Sequence, residues 1–278
     1  MAAASDVTGL LKIRTVEING QPLRVGERRG GEGQPPLLLF NGVGANLQLV
    51  EPFVAALDEA IPVVIFDIPG VGGSPAPRLP YRFSGVARLG HELMPRLGYD
   101  WTVDVLGVSW GGAVAQQFAR SFPARCRRLV LAATSPGAIM VPGQLSALAK
   151  LASPRRYLDA DYLRRVGADL YGGTYRKNPE RLDELSRHIK PPGGLGYAYQ
   201  LLAGAGWTSL PWLHRLAQPT LILHGTDDPI VPLTNAKILA ALIPGSRLHV
   251  VDDGHLFLVS RAREVAPVVS KFLTEPSS

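Results

Sequence analysis

Ser109 stands in the stretch GVSWGGAVAQQFA, with Gly107 two residues before it and Gly111 two residues after. A serine hydroxyl is a weak nucleophile until a neighbouring base takes its proton, so the fold must hold this oxygen where a base can reach it. The flanking sequence shows how. WTVDVLG, from Trp101, alternates and is rich in Val and Leu, as a buried strand would be. GGAVAQQFARSF carries apolar residues at helical spacing. A turn from strand to helix within two residues strains its central residue and brings neighbouring backbone close. Glycine on both sides removes the side chains that would collide. G-x-S-x-G in this setting is the pattern of a nucleophile elbow, with the serine at a strand end and a helix N-terminus.

A base and an orienting acid must accompany such a serine. Six histidines compete. His249 falls inside an alternating strand pattern, and His91, His188 and His214 fall in helix-like segments, where a structural role is the default. His224 ends a strand, beside a turn that holds an acidic pair. His255 follows the strand ending VVDD, in a Gly-His loop before LFLVS. Functional residues of a parallel sheet sit in loops past the strands' C-terminal ends, so His255 is the expected general base. The acid is expected in HGTDDPIVP, from Asp227 or Asp228, with Asp252 and Asp253 as rivals close to His255 in sequence. Two backbone N–H groups must receive the oxyanion. One is expected from Trp110, directly after the serine. The other is expected from Val43 in FNGVGAN, with Gly42 and Gly44 allowing close approach. GVGANL followed by Asp67 also resembles the start of a dinucleotide site, but Leu47 stands where the third glycine belongs. DIPGVGGS lacks the spacing and the lysine of a phosphate-binding loop and reads as a tight turn.

The elements that would position these residues recur along the chain. LLLF, VVIFD, VDVLG, LVLAA, LILHG and RLHVVDD are short apolar runs, and helical stretches such as LQLVEPFVAALDEA lie between several of them. That alternation predicts a parallel, helix-covered sheet. KIRTVEING and QPLRVGER, meeting at Asn19-Gly20, predict an edge hairpin. The alternation stops between residues 136 and 215, which are helical and loop-rich with PPGGLG inside. This predicts an α/β core of 1–135 and 216–278 and an inserted helical lid of 136–215. The insertion holds six of the eight tyrosines and two of the four tryptophans. Eleven basic minus six acidic residues give it +5 of the chain's +6. Its aromatics could fill a core of their own or face substrate, with Trp207, Trp212, Tyr171 and Tyr175 as substrate-binding candidates.

At 278 residues, 46% hydrophobic and 19% charged, the chain has the composition of a globular domain with a sizeable core. No apolar run reaches the ~20 residues of a membrane span. MAAASDVTGLLKIR lacks the features of a signal peptide, and the lone Cys126 excludes an internal disulfide, so the cytoplasm is expected. The charge of +6 comes without a dense basic tract or a nucleic-acid motif, so no nucleic-acid partner is expected.

With these residues in place the chain resembles an α/β-hydrolase over nearly its whole length. The order Ser109, Asp228, His255 agrees with that family, and the family pattern G-x-x-D-x-x-V-P selects Asp228 over Asp227. The family also shows Asp-x-x-Gly-x-Gly-x-Ser, as DIPGVGGS does, but commonly has His-Gly where Asn41-Gly42 stands. LLLFNGVGANLQLVEPF, FDIPGVGGSPAPRLPYRF, LVLAATSPGAIMVPG, SPRRY, GWTSLPWLHRL and DDGHLFL are similar to intracellular poly(3-hydroxyalkanoate) depolymerases of the medium-chain-length type. That resemblance implies an α/β-hydrolase fold with a mostly parallel eight-stranded sheet and helices on both faces. It implies hydrolysis of stored polyester to 3-hydroxy acids or oligomers through an acyl-enzyme, at cytoplasmic granules, without metal or cofactor. The alternatives are a small-molecule carboxylesterase or carbon–carbon-bond hydrolase with the same triad, and a non-catalytic granule-binding protein. Related synthases carry cysteine at the elbow, and dehalogenases and epoxide hydrolases carry aspartate; Ser109 disfavours both.

Overall fold

The computed structural model describes residues 7–8, 10–188 and 193–276. Pro191 and Pro192 of PPGGLG, and residues 1–6, lie outside the described residues. The strands are β1 (Val7–Thr8), β2 (Leu11–Ile18), β3 (Gln21–Arg28), β4 (Leu37–Phe40), β5 (Val63–Phe66), β6 (Val103–Val108), β7 (Cys126–Ala132), β8 (Thr220–Gly225) and β9 (Arg247–Val251). They form one sheet in the order β1-β2-β3-β5-β4-β6-β7-β8-β9. The expected eight strands are β2 to β9; the two-residue β1 adds a short antiparallel edge that carries no sequence pattern of its own. β2 and β3 form the expected hairpin, with Ile18 opposite Gln21. Asn19 (φ 51°) and Gly20 (φ 79°) both turn left-handed, as a two-residue hairpin turn with the strands' own twist requires. From β5 to β9 every pairing is parallel.

The parallel strands are buried on both faces, which explains their unbroken apolar runs. Leu38 and Phe40 point into one core with Val105, Phe118 and Leu131, while Leu37 and Leu39 point into the other with Leu106, Val130 and Phe272. The helices are α1 (Glu51–Ala56), α2 (Phe83–Arg96), α3 (Trp110–Ser121), α4 (Leu145–Leu151), α5 (Arg155–Leu158), α6 (Ala160–Tyr171), α7 (Gly173–Lys177), α8 (Arg181–His188), α9 (Gly194–Gly204), α10 (Leu233–Leu242), α11 (Phe257–Ser260) and α12 (Ala262–Thr274). The helix expected over LQLVEPFVAALDEA is split into a 3₁₀ turn, Leu47–Val50, and α1. Pro52 sits in the first turn of α1, where its missing N–H costs nothing, so a new helix starts there rather than continuing one.

After β7 the chain leaves the sheet, forms α4 to α9, and returns to β8. Its two ends lie side by side: Ala138 N donates to Trp207 O at 2.7 Å and Ser209 N to Pro136 O at 2.8 Å. This excursion has an apolar core of its own, with Leu163, Leu170, Tyr171, Tyr175 and Leu182, shared with Ala45, Leu49 and Ile230 of the sheet's loops. Among the described residues no helix is long and apolar enough to cross a membrane.

Candidate active site

Parallel pairing brings the ends of β4, β6, β8 and β9 to one edge of the sheet. Phe40 pairs with Gly107, Val108 with Ala132, and Gly225 with Val251. The loops that follow these strands carry Val43, Ser109, Asp228 and His255, and so they converge.

Ser109 has φ 53° and ψ −116°, a conformation that non-glycine residues avoid. Its neighbours hold it there. Ser109 N donates to Ala132 O at 2.8 Å, and Ser109 O accepts from Gly112 N at 2.9 Å and from Thr134 Oγ1 at 2.7 Å. The flanking glycines are required by contact. A Cβ on Gly107 would stand 2.2 Å from Gly111 O, and one on Gly111 2.2 Å from Phe40 O. The elbow has no room for either.

His255 Nε2 lies 3.0 Å from Ser109 Oγ, and His255 Nδ1 lies 2.7 Å from Asp228 Oδ2. Asp228 Oδ1 accepts from Ile230 N and Val231 N, both at 2.9 Å, which fixes the carboxylate. Ser109, His255 and Asp228 thus form one hydrogen-bonded chain, with Asp228 and His255 buried. The rival acids are engaged elsewhere. Asp227 turns to Arg176 and accepts from Gly173 N at 2.8 Å. Asp252 is exposed and pairs with Lys177 at 3.4 Å. Asp253 is buried and accepts from Ser260 Oγ at 2.6 Å and Gly254 N at 2.7 Å, tying down the loop that presents His255. His224 is fully buried, its Nε2–H donating to Val231 O at 2.7 Å. Burial pushes its pKa below the ordinary 6.5, outweighing nearby Asp228, which favours the cation. Neutral His224 therefore backs the acid loop. Asp67, the acid of the dinucleotide pattern, is spent on Leu47 N at 2.7 Å, Gly73 N at 2.8 Å and Arg24 at 3.0 Å. This is the structural turn expected of DIPGVGGS.

The loop after β4 is closed by Asn41. Its Oδ1 accepts from Gly42 N at 2.9 Å and its Nδ2 donates to Asn46 O at 2.8 Å. Asparagine therefore fastens the loop at both ends in place of the family's histidine. Among the described residues the Val43 N–H has no acceptor in the chain, and Trp110 opens α3, where an N–H has no helical carbonyl to bond. Gly42 is less constrained than expected, since a Cβ there would meet Ser109 Cβ at an ordinary 3.7 Å; at Gly44 (φ +71°) one would stand 2.6 Å from the Tyr157 ring.

Residues of the α4–α9 segment that the sequence does not single out grip this loop. Gln200 Oε1 accepts from Gly44 N at 2.7 Å, and Gln200 O accepts from Trp110 Nε1 at 2.7 Å. Tyr157 Oη donates to Val43 O at 2.7 Å. Both residues that carry the expected oxyanion donors are thus tied to α9 and α5. Nothing local in the sequence marks Gln200, and Tyr157 is one of six tyrosines in residues 136–215 that composition does not tell apart.

A cavity of about 40 Å³ opens at Ser109 and His255, lined by Val43, Leu49, Arg156, Tyr157, Tyr171 and Ile230 among others. Of the four aromatic candidates only Tyr171 lines it. Tyr175 packs against Tyr171 in the insertion's core. Trp207 and Trp212 pack against each other on the sheet's core, with Trp207 against Phe83 and its Nε1–H on Gln117 Oε1 at 3.0 Å. Cys126 is buried at the start of β7, at the opposite end of the strands from the cavity, and burial raises its thiol pKa.

Comparison with known proteins agrees with this architecture. A family model described as alpha/beta hydrolase fold matches residues 35–262. The chain is 52% identical over 262 residues to a poly(3-hydroxyalkanoate) depolymerase of Ectopseudomonas oleovorans, covering 94% of this chain and 92% of the relative. It is 30% identical to a pimeloyl-[acyl-carrier protein] methyl ester esterase of Aromatoleum aromaticum, over 85% of this chain and 97% of the esterase. The crystal structure of an enol-lactonase from Burkholderia xenovorans superposes with a TM-score of 0.80 at 25% identity, covering 94% of this chain and all of the lactonase.

Proposed function

The chain belongs to the α/β-hydrolase fold family and is an ester hydrolase, and from that premise we propose that it cleaves the ester bonds of intracellular poly(3-hydroxyalkanoate) through a serine acyl-enzyme. The observation that carries the mechanism is the unbroken hydrogen-bonded chain from Ser109 Oγ through His255 to Asp228 Oδ2. His255 Nε2 takes the Ser109 proton as Oγ attacks the ester carbonyl. Asp228 holds the Nδ1–H tautomer and stabilises the imidazolium. The N–H groups of Val43 and Trp110 receive the oxyanion, held in register by Gln200 and Tyr157. As the intermediate collapses, His255 returns its proton to the leaving hydroxyl. Water, activated by the same histidine, then frees the acid and restores Ser109.

The polyester substrate is supported by the 52% identity to a protein named for that activity. Adsorption to a granule surface is supported by exposed Ile139, Leu145, Leu158, Leu195 and Leu202, all in residues 136–215, the proposed lid. The exposed apolar surface is therefore aliphatic; every aromatic of that segment is buried or half-buried. We place the enzyme in the cytoplasm at such granules.

One observation favours a second reading. A cavity of about 40 Å³ holds only a few waters, and ligand pockets are ordinarily ~300–1,000 Å³. A small-molecule esterase or carbon–carbon-bond hydrolase that works with its lid closed fits that narrowness. A polymer chain requires α4–α9 to move. The mechanism is tested by labelling with a serine-directed phosphonate: a single adduct on the peptide containing Ser109, lost in His255→Ala, is expected. Labelling elsewhere, or none in the folded wild type, would overturn it.

A further inference from the structure

Arg156 is 2% exposed, lines the cavity at Ser109 and His255, and pairs with no carboxylate among the described residues. Guanidinium stays charged in proteins, so a full cation lies buried beside the nucleophile of an enzyme whose proposed substrate is a neutral ester. Its hydrogen bonds are uneven. Nη1 is well held, donating to Tyr197 Oη at 2.8 Å, Ser153 O at 3.2 Å and Leu151 O at 3.3 Å. Nη2 has two long contacts, Tyr157 Oη at 3.3 Å and Val43 O at 3.4 Å. Nε is buried with no partner. Tyr157 and Tyr197 face the guanidinium with ring centroids at 4.3 and 5.5 Å, and they stabilise charge without neutralising it. The underused edge, Nε with Nη2, is one of the two forks with which arginine grips a carboxylate, and its Val43 contact places it against the loop of the expected oxyanion donor.

We propose that the Nε–Nη2 edge of Arg156 binds the free carboxylate of a 3-hydroxy acid unit on the leaving-group side of the scissile ester, so that the enzyme cuts the last linkage at the carboxyl end of a chain. This rests on the polyester reading. In such a terminal unit the carboxylate carbon is four bonds from the scissile carbonyl carbon, roughly 5 Å away. Ser109 Oγ forms a bond to that carbonyl as the bond to the terminal unit's 3-oxygen breaks. The 3-oxygen takes the proton from His255 and the terminal unit leaves as one free 3-hydroxy acid. The remaining chain stays on Ser109 until water releases it with a new carboxyl end, ready for the next cut. Tyr171 lines the same cavity and its hydroxyl interacts with the Arg156 guanidinium; burial outweighs that cation and keeps the phenol neutral, so its O–H supplies a second hydrogen bond to that carboxylate.

The test compares the free-acid dimer of 3-hydroxyoctanoate with its methyl ester. The wild type should favour the acid in kcat/KM by roughly tenfold, the value of one bidentate pair after desolvation. Arg156→Met should bring the ratio near one, and Arg156→Lys should restore part of it. Equal preference in the wild type, or an unchanged ratio in a folded Arg156→Met, overturns the proposal. Because Arg156→Met could fail to fold, wild-type inhibition gives a second measurement. Monomeric 3-hydroxyoctanoate should inhibit p-nitrophenyl octanoate hydrolysis competitively and at least tenfold better than its methyl ester; equal inhibition refutes the site. Cleavage of p-nitrophenyl octanoate with neither dimer nor polymer attacked marks the failure of the polyester reading instead, and the inhibition experiment still decides on Arg156.

Discussion

Replacing Gln200 by leucine keeps most of the side chain's volume and removes the acceptor of the Gly44 N–H. In the wild type that bond is 2.7 Å long and buried. The second tie, from the Trp110 indole, uses the main-chain carbonyl of Gln200 and survives the substitution. A buried N–H stripped of its acceptor costs about 1–3 kcal/mol. The loop can recover this only by moving, and the Val43 N–H, one residue away, moves with it. Complete loss of one oxyanion donor lowers kcat by about 10²–10³, which sets the ceiling. A loop displaced but still tied through Tyr157 to Val43 O should lose roughly 10–100-fold in kcat, with KM within about threefold. Gln200→Glu retains a carbonyl acceptor and should recover most of the loss. Steady-state hydrolysis of p-nitrophenyl octanoate gives both constants, and thermal unfolding reports whether each variant is folded. A folded Gln200→Leu with wild-type kcat, or with its whole defect in KM, would refute the claim that the insertion positions the oxyanion loop.

Three stability predictions concern packing elsewhere in the chain. His224 is held neutral, with its folded pKa below 6.5, so the unfolded chain binds this proton first; stability present above pH 6.5 is lost as the pH falls below it, by up to about 1.4 kcal/mol per pH unit. In His224→Gln, urea denaturation from pH 7.5 to 5 should show a shallower decline than in wild type, and parallel declines would show that His224 does not titrate on unfolding. Gly111→Ala puts a methyl 2.2 Å from Phe40 O and 2.5 Å from Asn41 O, and should lose several kcal/mol or fail to fold. Gly85→Ala, where a Cβ in α2 meets nothing nearer than Tyr81 Cβ at 3.9 Å, should gain about 0.5–1 kcal/mol in the same assay.

The features legible in the sequence are those that local physics dictates. The glycines at 107 and 111 announce a close approach, and in the structure a Cβ on either would stand only 2.2 Å from a backbone carbonyl oxygen. Asn19-Gly20 announced a left-handed hairpin turn, and the apolar runs announced strands covered on both faces. The convergence of Ser109, Asp228 and His255 follows from the parallel pairing of those runs, because parallel strands put their outgoing loops at one edge. What was not legible depends on which way a side chain faces. Aromatic content drew attention to Trp207 and Trp212, but composition cannot tell a core face from a cavity face, and both pack on the sheet's core. Asn41 looked like a departure, yet an amide that accepts from Gly42 N and donates to Asn46 O closes the loop. Gln200 lies 156 residues from Gly44, in a helix without a charged residue, and no local pattern could join the two.

The central claim is that Ser109 opens the ester bonds of a stored polyester, and the most direct measurement is the release of 3-hydroxy acids from amorphous medium-chain-length polyester by wild type and Ser109→Ala side by side. Steady release by the wild type is expected, with none above background from the variant. Intact polymer in the presence of a wild type that cleaves p-nitrophenyl octanoate would contradict the polyester reading, and equal release by Ser109→Ala would contradict the nucleophile.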